Sequence, residues 1–188
     1  MPGFVVFLQN ENEPKNLVQP QLPQLIPSEM CLECPVCCRF PEKQAALSPF
    51  FLPEERNLAE ALKTGGSFRE SGASKAELVV CGNGFACSFF NPADHTCRVY
   101  PVRPLDCSMY PAVILYSRDH RKVMLGADTT CPALSRPGVS VRLRHYLDLV
   151  QRYLESNALS SLIRKYPQFI SEFQEEAVEV RELSLGKA

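Results

Sequence analysis

The chain has no tryptophan, only three histidines and almost no net charge, −1 over 188 residues. A balance this close to zero excludes the basic stripe of a nucleic-acid-binding domain and gives no attraction to an anionic membrane surface. Long hydrophobic runs are missing too. The longest, Phe4 to Leu8 and Ala112 to Tyr116, fall far short of the ~20 apolar residues that a membrane-spanning helix needs. Met1 to Asn10 has no basic residue ahead of its apolar run and no small-residue cleavage site after it, so it does not read as a signal peptide, and a cytoplasmic location is expected. No dinucleotide fingerprint is present, because Gly65-Gly66 and Gly82-Asn83-Gly84 lack a phosphate-cradling pattern. No Ser–His–Asp or Cys–His arrangement is legible either.

What the sequence does have is cysteine. All nine fall between Cys31 and Cys131, nine of 101 residues, with none on either side. A local density of about 8–10% suggests a covalent or metal framework from composition alone. Sixteen prolines exceed the usual ~5% and argue against long regular elements in this region. An odd number cannot pair fully into disulfides, and in a reducing cytosol such a framework more often means metal. With 45% apolar and 22% charged residues the chain is too rich in core-forming side chains to be disordered.

Spacing sharpens the case. Cys31, Cys34, Cys37 and Cys38 read C-x2-C-x2-C-C. Two residues between thiols let a tight turn bring both sulfurs to one ion, with the intervening amides able to hydrogen-bond them, and a third Cys at the same step adds a ligand from the same loop. Neighbouring side chains diverge, so one of Cys37 and Cys38 is available to a second metal or to another face of a cluster. The remaining thiols, Cys81, Cys87, Cys97, Cys107 and Cys131, are dispersed, and none of them forms a C-x2-C pair. Isolated cysteines are common in cores, but Cys87 to Phe90 and Cys97 to Pro111 repeat a texture of Cys, aromatic and Pro.

The pattern C-x2-C-x2-C-C at 31–38, with C-x-F at Cys87, C-x-x-Y from Cys97 to Tyr100, R-P at Arg103-Pro104, Cys107 and a following Pro111, resembles the YkgJ-like cysteine-cluster family. Its shared region is described as a zinc- or iron-chelating domain and occurs also in flagellin lysine N-methylases. The resemblance spans about residues 31 to 132 and implies that Cys31, Cys34, Cys37, Cys38, Cys87, Cys97 and Cys107 are metal-ligand positions, with Cys131-Pro132 similar to the family's later C-P element. The sequence departs from the family at Pro35, at Ser108, where Arg is common, and at Ala133, where Gly is frequent.

Eight family thiolates would complete two four-coordinate sites, as two zincs or two iron–sulfur clusters, or one cluster with spare thiols. Cys81, at the end of Glu77-Leu-Val-Val-Cys81, is expected to be a core thiol at a strand end. Zinc ribbons favour two separate C-x2-C knuckles, and only one exists here. The triple C-x2-C-x2-C resembles half of a ferredoxin-type run, so the expected cofactor is an iron–sulfur cluster, with zinc as the alternative. The C-x3-C-x2-C order of a radical S-adenosylmethionine site is absent.

The expected fold class is α+β: an irregular, metal-stapled cysteine domain with short strands and a C-terminal helical segment. Three parts are expected: a strand and Pro/Gln-rich arm over residues 1–30, the cysteine domain over 31–135, and C-terminal helices over 136–188. Pro53-Glu54-Glu55 opens a helix with Leu58 and Leu62 on one face, closed by Gly65-Gly66. Gly65 to Ser74 is expected to be a mobile loop. Ala112–Tyr116 and 122–127 form a hairpin. Leu143, Leu147, Val150 and Leu154 mark a helix capped by Ser140; Asn157 caps a second, carrying Leu159, Leu162, Ile163 and Tyr166; Phe169, Ile170, Phe173 and Ala177 mark a third.

Among other residues, His95 stands best placed to replace a thiol, Arg103 is expected to bond a cluster sulfur, bind an anion or pair with Asp106, and Tyr100 and Tyr110 are expected to pack around the site. Three functions are in play: a redox or electron-transfer metal protein with an unidentified redox or protein partner, a structural metal adaptor, and, on resemblance alone, an S-adenosylmethionine-dependent lysine methylase. Neither a nucleic acid nor a membrane is an expected partner.

Overall fold

Phe50 and Phe51 are neighbours in the chain and point into different cores, because side chains alternate across a strand. The computed structural model describes residues 22–32, 34, 36–70 and 74–185. Its elements run α1 (Ser28–Leu32), a 3₁₀ turn (Val36–Cys38), β1 (Arg39–Phe40), β2 (Phe50–Phe51), α2 (Pro53–Ala61), β3 (Ser74–Lys75), β4 (Leu78–Cys81), β5 (Gly84–Cys87), β6 (Phe90–Asn91) and β7 (Thr96–Cys97). Then follow α3 (Leu105–Met109), β8 (Ala112–Tyr116), β9 (Val123–Asp128), α4 (Val139–Leu154), α5 (Asn157–Lys165) and β10 (Ala177–Glu182). The class is α+β, as expected. Among the described residues the strands pair antiparallel, in two three-stranded sheets ordered β1-β5-β4 and β10-β9-β8 and the pairs β2-β3 and β6-β7, with one isolated parallel bridge between Leu115 and Ser171. Among the described residues no helix is long and apolar enough to cross a membrane.

The first core lies between the β8–β9 hairpin and the helices. Leu143, Leu147, Val150 and Leu154 form the buried stripe of α4, joined by Ile163 of α5, and Phe50 meets the ring of Phe169 at 5.5 Å. Burying each such side chain contributes roughly 1.5–3 kcal/mol. The second core is aromatic: Phe51 packs on Phe68 at 5.0 Å and on Phe89 at 5.5 Å, with Phe40, Phe90 and Val99 around them. In the adjoining sheet a Cβ on Gly84 would stand 2.8 Å from the Phe40 carbonyl oxygen, so glycine there lets β1 lie close against β5.

Two carboxylates tie together elements of the first core. Glu55, 2% exposed, sits at the third helical position of α2, where the positive helix end favours an acid. Its Oε2 accepts the N–H of Leu52 at 2.9 Å, and its Oε1 accepts that of Leu105 at 2.7 Å. Asp106 Oδ2 accepts the N–H of Phe50 at 2.9 Å. The first turn of α3 is thereby fastened to β2 and α2.

Several expectations change. The third helix is not formed: Pro167–Phe169 is a 3₁₀ turn, and the chain then extends into β10, which covers the edge of β9. Before that, Ser171 bridges β8, donating its N–H to the Ile114 carbonyl and accepting that of Tyr116, so the open edges of the hairpin outweigh the helical spacing of four apolar residues. The buried face of α2 is Glu55 and Ala59, while Leu62 is 44% exposed. Helix α4 starts at Val139 with Gly138 at its cap, φ 77°, so Ser140 falls inside the first turn. Helix α5 is preceded by Ser156, which puts Asn157 at its first position. Within 65–70 the supposed loop is packed, with Gly66 against the Phe89 ring and Phe68 bridged to Ala76. The strand at Phe4–Leu8 and the arm up to residue 21 lie outside the described residues, and the arm's end folds in, with Leu25 and Ile26 buried.

Withdrawal from water pushes Glu55 up to about 7 from 4.5, against the pull of its two N–H partners. The unfolded chain gives up this proton near 4.5, whereas the folded one keeps it to about 7, so folding takes up a proton between them. Stability therefore falls as pH rises through that window, by up to about 1.4 kcal/mol per unit. Glu55→Gln flattens this slope and costs roughly 1–3 kcal/mol by setting an amide NH2 against a backbone donor. Urea unfolding of both proteins on either side of the window measures the two effects.

Candidate metal centre

The thiols arrive from separate segments. Cys31 lies in the last turn of α1, Cys34 follows it, and Cys37 and Cys38 sit in the 3₁₀ turn. Cys87 ends β5, Cys97 ends β7, Cys107 is central in α3, and Cys131 leads into the 3₁₀ turn Pro132–Ser135. Arg39, next after Cys38, pairs with Ala86, which immediately precedes Cys87, and Phe40 pairs with Phe85.

These segments enclose two adjoining cavities. The larger, about 400 Å³, has Cys31, Cys34, Cys37, Cys38, Cys87, Cys97 and Cys107 in its wall. The smaller, about 120 Å³, has Cys31, Cys34, Cys37 and Cys131. Cys81 lines neither; it is half-buried at the end of β4 and packs against the edge of the second core. All nine cysteines are free thiols. Among the described residues no three Cys, His, Asp or Glu side chains are grouped to hold an ion in common.

Sulfur in this setting is poorly disposed to carry charge alone. Withdrawal from water pushes Cys87 up to about 12 and Cys31 up to about 11, and each is raised further by neighbouring thiols. Cys107 is held well above its ordinary range by withdrawal from water and by Asp106; Cys37, at the surface, is held there chiefly by its hydrogen bond with Cys38. Opposing this, the N–H groups of Phe89 and Phe90 donate to Cys87, Val99 to Cys97, and Ala133 and Leu134 to Cys131. Such amide donors favour the thiolate. A bound cation supplies the charge the cavity lacks, and crowded soft donors suit zinc or iron. The donor set therefore fits such a group.

Residues 30–132 match the CxxCxxCC family, whose description reads "Putative zinc- or iron-chelating domain". The chain belongs to this family. No curated protein and no solved structure matches it. Family and thiol-walled cavities together support a metal-binding role, with either zinc or iron as the metal.

Other residues of the CxxCxxCC domain take clearer places. Arg103 lies over the Tyr100 ring at 4.5 Å, in the wall of the larger cavity, and its charge lowers Cys31, Cys37 and Cys97. The expected pairing with Asp106 does not form, since Asp106 holds the Phe50 amide and faces the charge of Lys75. His95 also borders the larger cavity, but it is exposed in a turn at φ 59° and stacks on Phe90. Tyr110 borders both cavities and donates its hydroxyl to Asp128 Oδ2 at 3.1 Å. The amide donors and Asp128 escaped the sequence reading. The turn after each dispersed Cys carried the only available signal for the amides.

Cys97→Ser lowers bound metal and stability together, because chelation and folding are coupled, while Cys81→Ser leaves metal content unchanged; elemental analysis of the purified variants reads both. Arg103→Gln weakens metal binding several-fold and Arg103→Lys restores much of it, as measured by competition with a chromophoric chelator.

Proposed function

We propose that this chain is a thiolate-ligated iron–sulfur protein with a redox or electron-transfer role, acting in a reducing cytoplasm on a protein redox partner. The observation that carries this reading is the size of the thiol-walled space. A tetrahedral zinc with sulfurs at ~2.3 Å closes on itself and uses little room, whereas seven thiols here border about 400 Å³. When bound, an iron–sulfur cluster supplies one-electron chemistry at a potential set by burial and by hydrogen bonds to sulfur.

The chain's own residues have definable parts in this. Cys31, Cys34, Cys37, Cys38, Cys87, Cys97, Cys107 and Cys131 are the holding thiols. The amides of Phe89, Phe90, Val99, Ala133 and Leu134 donate to three of those sulfurs and stabilise their charged form. Phe51, Phe89 and Phe90 give the larger cavity an apolar wall, and Arg103 offsets part of the negative charge. A structural zinc is the second reading, favoured by the smaller cavity, whose four thiols equal the number a closed zinc site takes.

Protein purified without oxygen is expected to be brown, to contain iron and acid-labile sulfide, and to bleach reversibly with dithionite. Stoichiometric zinc with no iron, sulfide or colour overturns the iron–sulfur reading in favour of the structural one.

A further inference from the structure

We infer that the larger cavity also takes a small organic cation, an aliphatic primary ammonium whose charge is met by Asp128 and whose chain lies against the sheet β10-β9-β8. The inference goes beyond metal binding and does not depend on which metal the thiols hold.

Alternation along the strands builds one wall of this site. Ala112, Ile114, Leu125 and Ala127 belong to the first core. Val113, paired with Gly126, and Asp128, two residues further along β9, therefore turn to the opposite face of the sheet. Asp128 is paired in turn with Ala177 of β10. Val113, Asp128 and Ala177 all line the larger cavity. A further stretch of wall is Ala45, Ala46, Leu47 and Pro49. That stretch is fastened in place, because the Ala46 carbonyl accepts the Ser171 hydroxyl at 3.2 Å and also the Lys75 ammonium. A pre-formed, largely apolar space with a few placed polar groups is the usual form of a small-molecule site.

Asp128 gives the space its charge. It is 5% exposed, and its carboxylate accepts the N–H of Thr130 at 2.9 Å and the hydroxyl of Tyr110 at 3.1 Å, both neutral donors. Among the described residues no Lys, Arg or His forms an ion pair with it. Arg103, in the same wall, lies over the Tyr100 ring instead. A carboxylate withdrawn from water without a cation is costly, and a charge-assisted hydrogen bond from a bound one offsets that cost. Each carboxylate oxygen keeps a free lone pair, and the Thr130 hydroxyl stands 3.2 Å from the Tyr110 oxygen, so acceptors are at hand for the three N–H donors of an ammonium. Glu176, exposed in the same wall, adds negative charge that attracts a cation and repels an anion. The apolar walls favour a hydrocarbon chain behind that charge over a bare, strongly hydrated ion.

Butylammonium, butanol and butyrate, titrated at pH 7 into the full-length chain purified without oxygen and followed by calorimetry, test the assignment. Butylammonium is expected to bind at least tenfold more tightly than butanol, and butyrate not to bind. From methylammonium to butylammonium the affinity rises about fourfold per methylene, as burial of each in an apolar space requires. Asp128→Asn abolishes the preference for amine over alcohol while the circular dichroism stays native. Equal binding of amine and alcohol, an affinity that does not change with chain length, or a preference that survives in folded Asp128→Asn overturns the inference. If Asp128→Asn does not fold, the wild-type series decides alone. Metal content measured on the same samples reports on the metal-binding reading separately.

Discussion

The carboxylate of Glu55 holds backbone N–H groups that lie three and 50 residues from it in sequence, with one oxygen for each. An acid removed from water this thoroughly is expensive unless its lone pairs are used, and here the geometry uses them to fasten α2 to the opening turn of α3. That turn carries Cys107. Asp106 adds a second stitch from the same turn to Phe50, in the strand where the two cores part. The position of a central thiol therefore depends on one buried and one half-buried acid that fasten backbone rather than sulfur.

From that junction the rest of the architecture follows. Phe50 commits β2 to the helical core and Phe51 commits it to the aromatic one, so the two hydrophobic masses are anchored on adjacent residues. The cysteine cavities lie along the seam between them, bordered by residues of both. Neither core alone could present all the thiols: Cys131 comes with the β8–β9 hairpin and α4, and Cys87 and Cys97 come with the small sheets. The low dielectric of the flanking cores raises the cost of an uncompensated thiolate, which makes the space selective for a positively charged occupant.

Much of this was legible in the chain because the chemistry of cysteine is local. The C-x2-C-x2-C-C run needs no tertiary information to be read as a chelating loop, and the hairpin at 112–128 and the stripe of α4 follow from simple periodicity. What was not legible depends on contacts distant in sequence. Phe169 to Ala177 has helical spacing, but the open edge of β9 claims the following residues as a strand, and only the assembled sheet reveals that edge. Glu55 looked like a first-turn acid favourable to a helix end, which it is, yet its partner Leu105 lies on another element. Cys81 shares the strand of Val79 and Val80, whose exposure places this end of β4 at the surface, away from the thiol cavities.

The ring of Phe169 resting on Phe50 has a consequence for the order in which the protein can be made. During synthesis the loop at 31–38 emerges early, with four reactive sulfurs and none of their distant companions. Cys131 must be added before the last thiol exists, and the chain must reach Phe169 before the strand that parts the two cores is packed on both faces. Contacts so remote in sequence form slowly. The nascent chain thus passes through a long interval as an open bouquet of thiols, exposed to oxidation and to stray metal until its C-terminal half is complete.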